Sequence, residues 1–292
     1  MLRTLFQIPI PFIGKTIPVY AYGFMLMIGF LAALYAARMR AKREGIKPEH
    51  ISDLGIYLIF AGIAGGRLFY VVQNFDLYRD NLVDILKIYH GGLVFYGGLL
   101  AATITLIVIV RLRKLPLLLT FDIIAPSIAM GLFFGRIGCF LNGCCWGDIC
   151  DPDLWWAVSF PKSVDVNNMI DGSPAFVDHL EKGLITISDG YSLPVHPTQI
   201  YSSLGNLAIF FMANAFFKYR KRDGEILIIF CMLYSVLRFC MEILRDDNPP
   251  LFDGLTISQN ISALVFVVTV TLFFIGRVKR KGRGRNFGGT KS

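Results

Sequence analysis

LLLTFDIIAPSIAMGLFFGRIG, residues 117–138, carries only two charged side chains, Asp122 and Arg136. A run of about 20 apolar residues is what crosses a hydrocarbon core about 30 Å thick. Six further stretches of this kind lie near residues 19–37, 52–72, 92–110, 197–217, 224–243 and 256–276. The whole chain is 54% hydrophobic and 17% charged, with mean hydropathy +0.56, which excludes a soluble globular domain. The alternating ten-residue segments of a transmembrane barrel are absent. The sequence therefore predicts an all-α integral membrane protein with seven transmembrane helices, a single polytopic domain over residues 1–292. Pro9, Pro11 and Pro18 precede the first span and no small-residue cleavage site follows it, so it reads as a retained helix and not a signal peptide.

Basic residues fix an expected orientation, because loops kept in the cytoplasm collect Lys and Arg. One set of connections, around Arg38–Lys47, Arg111–Lys114, Lys218–Arg222 and the tail from Arg277, holds nineteen of the 29 basic residues; the opposite set holds seven. Seven spans with this bias place the N-terminus outside and the C-terminus in the cytoplasm. The net charge of +8 then follows from topology and attraction to anionic lipid heads, with no need for nucleic acid. The one long connection, residues 144–195, reads as a small external head, acidic and loop-rich, opening with Asp148, Asp151, Asp153, Trp155 and Trp156. It is a lid or docking element on one reading and an interfacial cap on the other.

The remaining three basic residues, Arg67, Arg136 and Arg238, sit inside or at the ends of spans. A guanidinium at the centre of a lipid-facing helix costs about 2.5–3.5 kcal/mol, so each needs an anionic partner or a polar cavity. Under the expected topology the unusual residues gather in the outer half: Tyr22 on the first span, Arg67 on the second and His90 with Tyr96 at the entry of the third. Arg136 and Asn142 lie at the exit of the fourth, His196 and Gln199 at the entry of the fifth, and Tyr234, Arg238 and Glu242 on the sixth. Their convergence points to one polar cavity. On the sixth span Tyr234, Arg238, Glu242 and Arg245 share a helical face; Arg238–Glu242 reads either as a self-neutralising pair or, with Arg245 added, as a stripe with positive charge in excess. The pairs Ala61/Gly65 and Gly62/Gly66, and Ser127, Gly131 and Gly135, are small-residue spacings that let helix backbones approach. Asp122 lies at the inner end of its span and reads as structural.

Four of the six cysteines, Cys139, Cys144, Cys145 and Cys150, share one short window. Their spacing does not repeat the paired cysteines of a structural zinc site, so no metal or other cofactor is expected. In an oxidising outer compartment a disulfide is the first reading, with a reactive thiol, a metal site and unpaired packing as alternatives. Cys231 and Cys240 read as packing residues.

The segments 135–143 (GRIGCFLNG) and 91–98 (GGLVFYGG), His196-Pro197-Thr198-Gln199-Ile200-Tyr201, Asp122 with Ala125-Pro126, and Tyr234 with Arg238 and Glu242 together resemble the prolipoprotein diacylglyceryl transferases of the bacterial plasma (inner) membrane. The resemblance spans nearly the whole chain. It implies seven helices and transfer of a diacylglyceryl group from phosphatidylglycerol to the lipobox cysteine of preprolipoprotein signal peptides, releasing glycerol phosphate. For that reaction, Arg136 and Arg238 are expected to clamp the lipid phosphate by charge-assisted bonds while the substrate thiolate attacks the glyceryl carbon. Arg67 is expected to touch the same head group or brace the mouth, Glu242 to orient Arg238, and Tyr22, Asn142 and Gln199 to contact the glycerol.

Three positions depart from the family pattern, which has His at Tyr96, Asn at Cys139 and Glu at Cys144. A thiol with pKa near 8.5 needs help to ionise, and a phenol near 10 is a weak base at neutral pH. Tyr96 as phenolate or relay, His90 and His196 are the expected candidates for that role. A membrane lipid transporter or flippase also has a polar cavity among helices, but paired repeats and broken midplane helices are not visible here. A catalytically altered family member that binds lipid head groups is the other alternative.

Overall fold

The computed structural model describes residues 4–10, 15–79, 81–87, 91–162, 173–245 and 254–285. Seven helices are long and apolar enough to cross a membrane: α1 (Ala21–Arg43), α2 (Pro48–Gln73), α3 (Phe95–Leu112), α4 (Leu117–Asn142), α6 (Thr198–Phe216), α7 (Glu225–Ile243) and α8 (Ile257–Arg285). A short helix, α5 (Pro174–Glu181), lies in the connection between α4 and α6. All seven expected spans are present, and the chain is a multi-pass membrane protein. Before α1 the chain forms an antiparallel pair that hydropathy gave no reason to expect, β1 (Thr4–Ile10) and β2 (Lys15–Tyr20), with Gln7 opposite Pro18 and Pro9 opposite Thr16. Proline is tolerated in such a pair because each strand has a free edge.

By packing, the chain divides into two compact units: residues 34–124, and residues 1–33 with 125–292. In the first, α2 and α3 pack backbone to backbone. A Cβ placed on Gly65 would lie 2.3 Å from the Ala101 Cβ and 2.7 Å from the Gly97 carbonyl oxygen, and one on Gly98 would lie 2.8 Å from the Gly62 carbonyl oxygen. The small-residue spacing read on this span is thus a close helix contact, the geometry that drives association where lipid removes the hydrophobic incentive. Leu54, Leu106 and Val110 form the buried cluster of this unit. Arg40, buried near the C-terminal end of α1, donates to the Ile123 carbonyl, and Arg113 pairs with Asp53 at 2.7 Å.

In the second unit α1 meets α4 at another glycine, where a Cβ on Gly29 would lie 2.9 Å from the Phe134 Cβ. Ala125, Ala129, Ile209 and Phe230 from α4, α6 and α7 make its core, with Tyr234 packed against them. The connection after α4 folds over a small core of Trp146, Phe160, Ala175 and Val195. Ser173 caps α5, its hydroxyl accepting from the Phe176 amide at 3.3 Å, which supplies one of the orphan bonds of a helix start. Bridges Ile149–Val195 and Val158–Val195 hold the strand-like edges together. Trp155 and Trp156 stack edge to face, with Trp155 almost fully exposed.

Replacing Gly65 by Ala places a methyl inside another helix, so it is expected to destabilise the first unit by about 1–3 kcal/mol. Gly62→Ala meets nothing within 4 Å and should leave stability unchanged. Thermal unfolding of the two variants in detergent micelles checks the contrast.

Candidate active site

Arg67 lies in the last two turns of α2, only 7% exposed. Each of its five N–H groups meets a backbone carbonyl of the connection to α3: Nε with Ile85 at 2.8 Å, Nη1 with Gly91 at 2.8 Å and Gly92 at 3.2 Å, Nη2 with Asp84 at 2.9 Å and Lys87 at 3.4 Å. The rings of Tyr70 and Tyr78 face the same guanidinium at 5.8 and 5.3 Å, adding cation–π attraction. Gly91 and Gly92 both have φ near +80° (83° and 76°), the conformation that turns two successive carbonyls onto one cation and that only glycine adopts without strain. A Cβ on Gly92 would lie 2.8 Å from Arg67 Nη1 and 2.6 Å from the Tyr70 ring. The geometry is that of a clasp for a loop. Tyr96, in the first turn of α3, is 62% exposed and stacks edge to face on Phe95. His90 lies outside the described residues.

The other expected residues belong to the second unit. Arg136, half-buried near the end of α4, makes no hydrogen bond or ion pair with the described residues. Arg238 on α7 is held: Nη1 pairs with Glu242 Oε2 at 2.8 Å and Nη2 donates to the Ser258 hydroxyl at 2.9 Å. Glu242, one helical turn on, is 3% exposed, and its Oε1 accepts from Thr256 Oγ1 at 2.9 Å. Thr256 is itself fixed by a capping box at the start of α8: its amide donates to Gln259 Oε1 at 2.9 Å, and its hydroxyl accepts from the Gln259 amide at 3.2 Å. Glu242 therefore orients Arg238 and is anchored by the following helix. Arg136 and Arg245 both lie close enough for their charges to act on Arg238. Three guanidinium groups so gathered attract an anion.

Beside them the chain leaving α4 turns sharply back. Gly143 has φ 72° and Cys145, with a side chain, has φ 62°, a left-handed conformation that is rare outside glycine and stored where surroundings enforce it. The enforcing bonds are visible. The Cys144 amide donates to the Cys139 carbonyl at 3.1 Å, Gln199 Nε2 donates to the Cys144 carbonyl at 3.0 Å, and Thr198 Oγ1 donates to the Cys145 carbonyl at 2.9 Å. Thr198 and Gln199, 1% and 0% exposed, occupy the first turn of α6. The His196 backbone accepts from Gly147 and donates to Asp148 at 3.0 Å each, and its ring nitrogen lies 3.5 Å from the Tyr201 hydroxyl.

As a result Cys139, Cys144 and Cys145 place their sulfurs within 4.8 Å of one another. The expected disulfide is not formed, and all six cysteines are free thiols. Hydrogen bonding to the Cys139 thiol first, then to Cys144, and the fields of Arg245 and Arg136, pull the Cys145 thiol well below its ordinary range. Tyr22 is near all three sulfurs and Arg136, and its ring is where a Cβ on Gly138 would come within 3.1 Å. Asn142 neighbours Cys144. Tyr234 stacks on Phe230 at 5.9 Å, its ring part of the core. A groove of about 260 Å³ between α7 and α8, lined chiefly by Val236, Phe239, Cys240, Ala263 and Phe266, has walls suited to a hydrocarbon chain.

Sequence reading found the arginines but missed Thr256 and Ser258, which hold the Arg238–Glu242 pair. The Thr-x-x-Gln spacing of a capping box was the available signal for the first; a lone serine gives none for the second. Thr198 was quoted in a motif without a role.

Seven apolar spans, with three guanidinium groups gathered beside a thiol-bearing turn, define a multi-pass membrane protein. The chain belongs to the prolipoprotein diacylglyceryl transferase family, whose model matches residues 9–275. It is 34% identical over 259 residues to a phosphatidylglycerol–prolipoprotein diacylglyceryl transferase of Thermotoga maritima, covering 88% of this chain and 80% of that one. With the enzyme of the same name from Burkholderia ambifaria it shares 31% over 272 residues, covering 89% and 91%, and with that of Clostridium tetani 29% over 263 residues, covering 90% and 95%. The family resemblance read from the motifs is borne out.

Lysine offers three donors where Arg67 uses five, so Arg67→Lys should strand carbonyls at about 1–3 kcal/mol apiece and lower the unfolding temperature in detergent. Faster cleavage between residues 74 and 94 under limited proteolysis is the second readout.

Proposed function

We propose that the chain transfers a diacylglyceryl group from phosphatidylglycerol to the lipobox cysteine thiol of preprolipoproteins in the bacterial inner membrane, forming a thioether and releasing glycerol phosphate. The N-terminus lies outside and the C-terminus in the cytoplasm in this reading, with residues 144–195 as a head over the outer mouth. The observation that carries it is Arg136: a half-buried guanidinium without a hydrogen bond or ion pair among the described residues, beside a second guanidinium already oriented by Glu242 and Ser258. A partly buried cation without an anionic partner is unfavourable in a membrane, and a lipid phosphate supplies the missing charge through bidentate, charge-assisted bonds.

Carbon–oxygen cleavage at the glyceryl carbon places negative charge on the departing phosphate. Guanidinium groups fixed beforehand stabilise that charge where it develops, without reorganisation. Arg238 is positioned for this by two side chains, and Arg136 is available for it. Arg67, with every donor engaged, braces the loop that leads into α3. Gln199 positions the cysteine turn through its amide. Tyr22 and Asn142, which flank the same turn, meet the glycerol in this reading. The acyl chains follow the apolar groove between α7 and α8. Tyr96, His90 and His196 are the side chains that this reading offers as acceptors of the thiol proton.

In liposomes containing phosphatidylglycerol, the purified protein should add the mass of one diacylglyceryl group to a lipobox peptide. Arg136→Lys keeps the charge but loses the fork, and turnover is expected to fall on the order of 10²-fold; unchanged turnover would remove the clamp. Full transfer by Tyr96→Phe, His90→Gln and His196→Gln alike would strike those three as bases while leaving the arginines untouched.

A further inference from the structure

We propose that Cys139, Cys144 and Cys145 hold a zinc ion with one coordination position open to the acceptor thiol, an inference that rests on the transfer reaction proposed above. Zinc binds cysteine sulfur at about 2.3 Å in tetrahedral geometry, which sets sulfurs about 3.8 Å apart. The three sulfurs here already lie within 4.8 Å of one another. They reach that arrangement through a built turn. Cys145 is held at φ 62° and Gly143 at φ 72°, and the carbonyls of Cys144 and Cys145 are pinned by the fully buried Gln199 and Thr198. A left-handed non-glycine residue secured from two sides is costly backbone, and what it achieves is the convergence of three sulfurs.

Zinc binding ionises all three thiols, and at that spacing their charges would repel one another strongly without the ion. A divalent ion removes the repulsion, and three soft sulfur donors select a thiophilic ion of tetrahedral habit. Among the described residues no His, Asp or Glu joins the group. Three protein ligands and an open fourth position are the pattern of a reactive zinc site, whereas structural sites are closed by four.

The open position takes a fourth sulfur. A thiol that coordinates zinc gives up its proton, so the lipobox cysteine displaces a bound water and arrives as a thiolate, its proton passing to water. That sulfur then forms the bond to the glyceryl carbon as the carbon–oxygen bond breaks, the electron pair leaving with the phosphate oxygen. The resulting thioether is a far weaker ligand than the thiolate, and water replaces it. Arg136 and Arg245, whose charges reach Cys145, offset the negative charge of a zinc centre bearing several thiolates. Zinc coordination thus lowers the demand on whichever of the proposed acceptors takes the proton onward.

Full-length protein purified in detergent without chelator should carry about one zinc per chain by elemental analysis. Cys139→Ser, Cys144→Ser and Cys145→Ser should each weaken zinc binding on the order of 10–100-fold or more, while Cys150→Ser keeps it and controls for folding. Cobalt(II) exchanged into the metal-free protein should show sulfur-to-metal charge-transfer bands and tetrahedral visible bands. A lipobox peptide should shift those bands, and the same peptide with Ser for Cys should not. Zinc that survives the three substitutions, a disulfide within the trio in the unreduced protein, or absence of cobalt–sulfur bands would each overturn the metal site. Cobalt bands indifferent to the thiol peptide would overturn the open position. Because these readouts need no turnover, a protein that binds zinc and thiol peptide yet transfers no lipid would sink the proposed reaction and leave the site standing.

Discussion

A guanidinium placed in or against a membrane must be solvated by something other than water, and much of this structure answers that demand. The same problem receives two opposite solutions. Around Arg67 the protein supplies its own solvent, five backbone carbonyls and two aromatic faces, and the charge becomes the centre of a fold element. At Arg136 it supplies no hydrogen bond or ion pair among the described residues, which is why the proposed lipid phosphate is placed there. Arg238 falls between, half neutralised by Glu242 yet turned toward the same corner. Chemistry and architecture here are separated by how completely a cation has been satisfied from within.

That difference explains how much was legible in the sequence. The seven spans follow from length and hydropathy because backbone groups in lipid leave helices as the available solution. Arg136 and Arg238 stand out because charge is rare in such segments. The partner of a charge, however, is set by three-dimensional convergence. Nothing local distinguishes Arg67, whose partners lie 17–25 residues away, from an arginine facing a substrate. The β1–β2 pair was hidden because Pro9, Pro11 and Pro18 argue against strands in a sheet interior and say little about a two-stranded ribbon.

The cysteines show the limit most clearly. Ligand spacing rules assume a turn of ordinary geometry, and Cys139-x4-Cys144-Cys145 does not match them. Two left-handed residues in succession of three change the path of the chain, and Gln199 and Thr198, more than 50 residues on, hold it there. Neither a left-handed cysteine nor a distant amide clamp leaves a local mark.

The bonds that fix Arg238 have a consequence for biogenesis. Ser258 and Thr256 sit at the threshold of α8, which is synthesised after the other six described spans. Until that helix has entered the bilayer, Glu242 lacks its threonine and Arg238 lacks its serine, so the pair is not yet held from outside its own helix. A chain that has inserted only the first six described spans therefore carries the Arg238–Glu242 pair without its anchors.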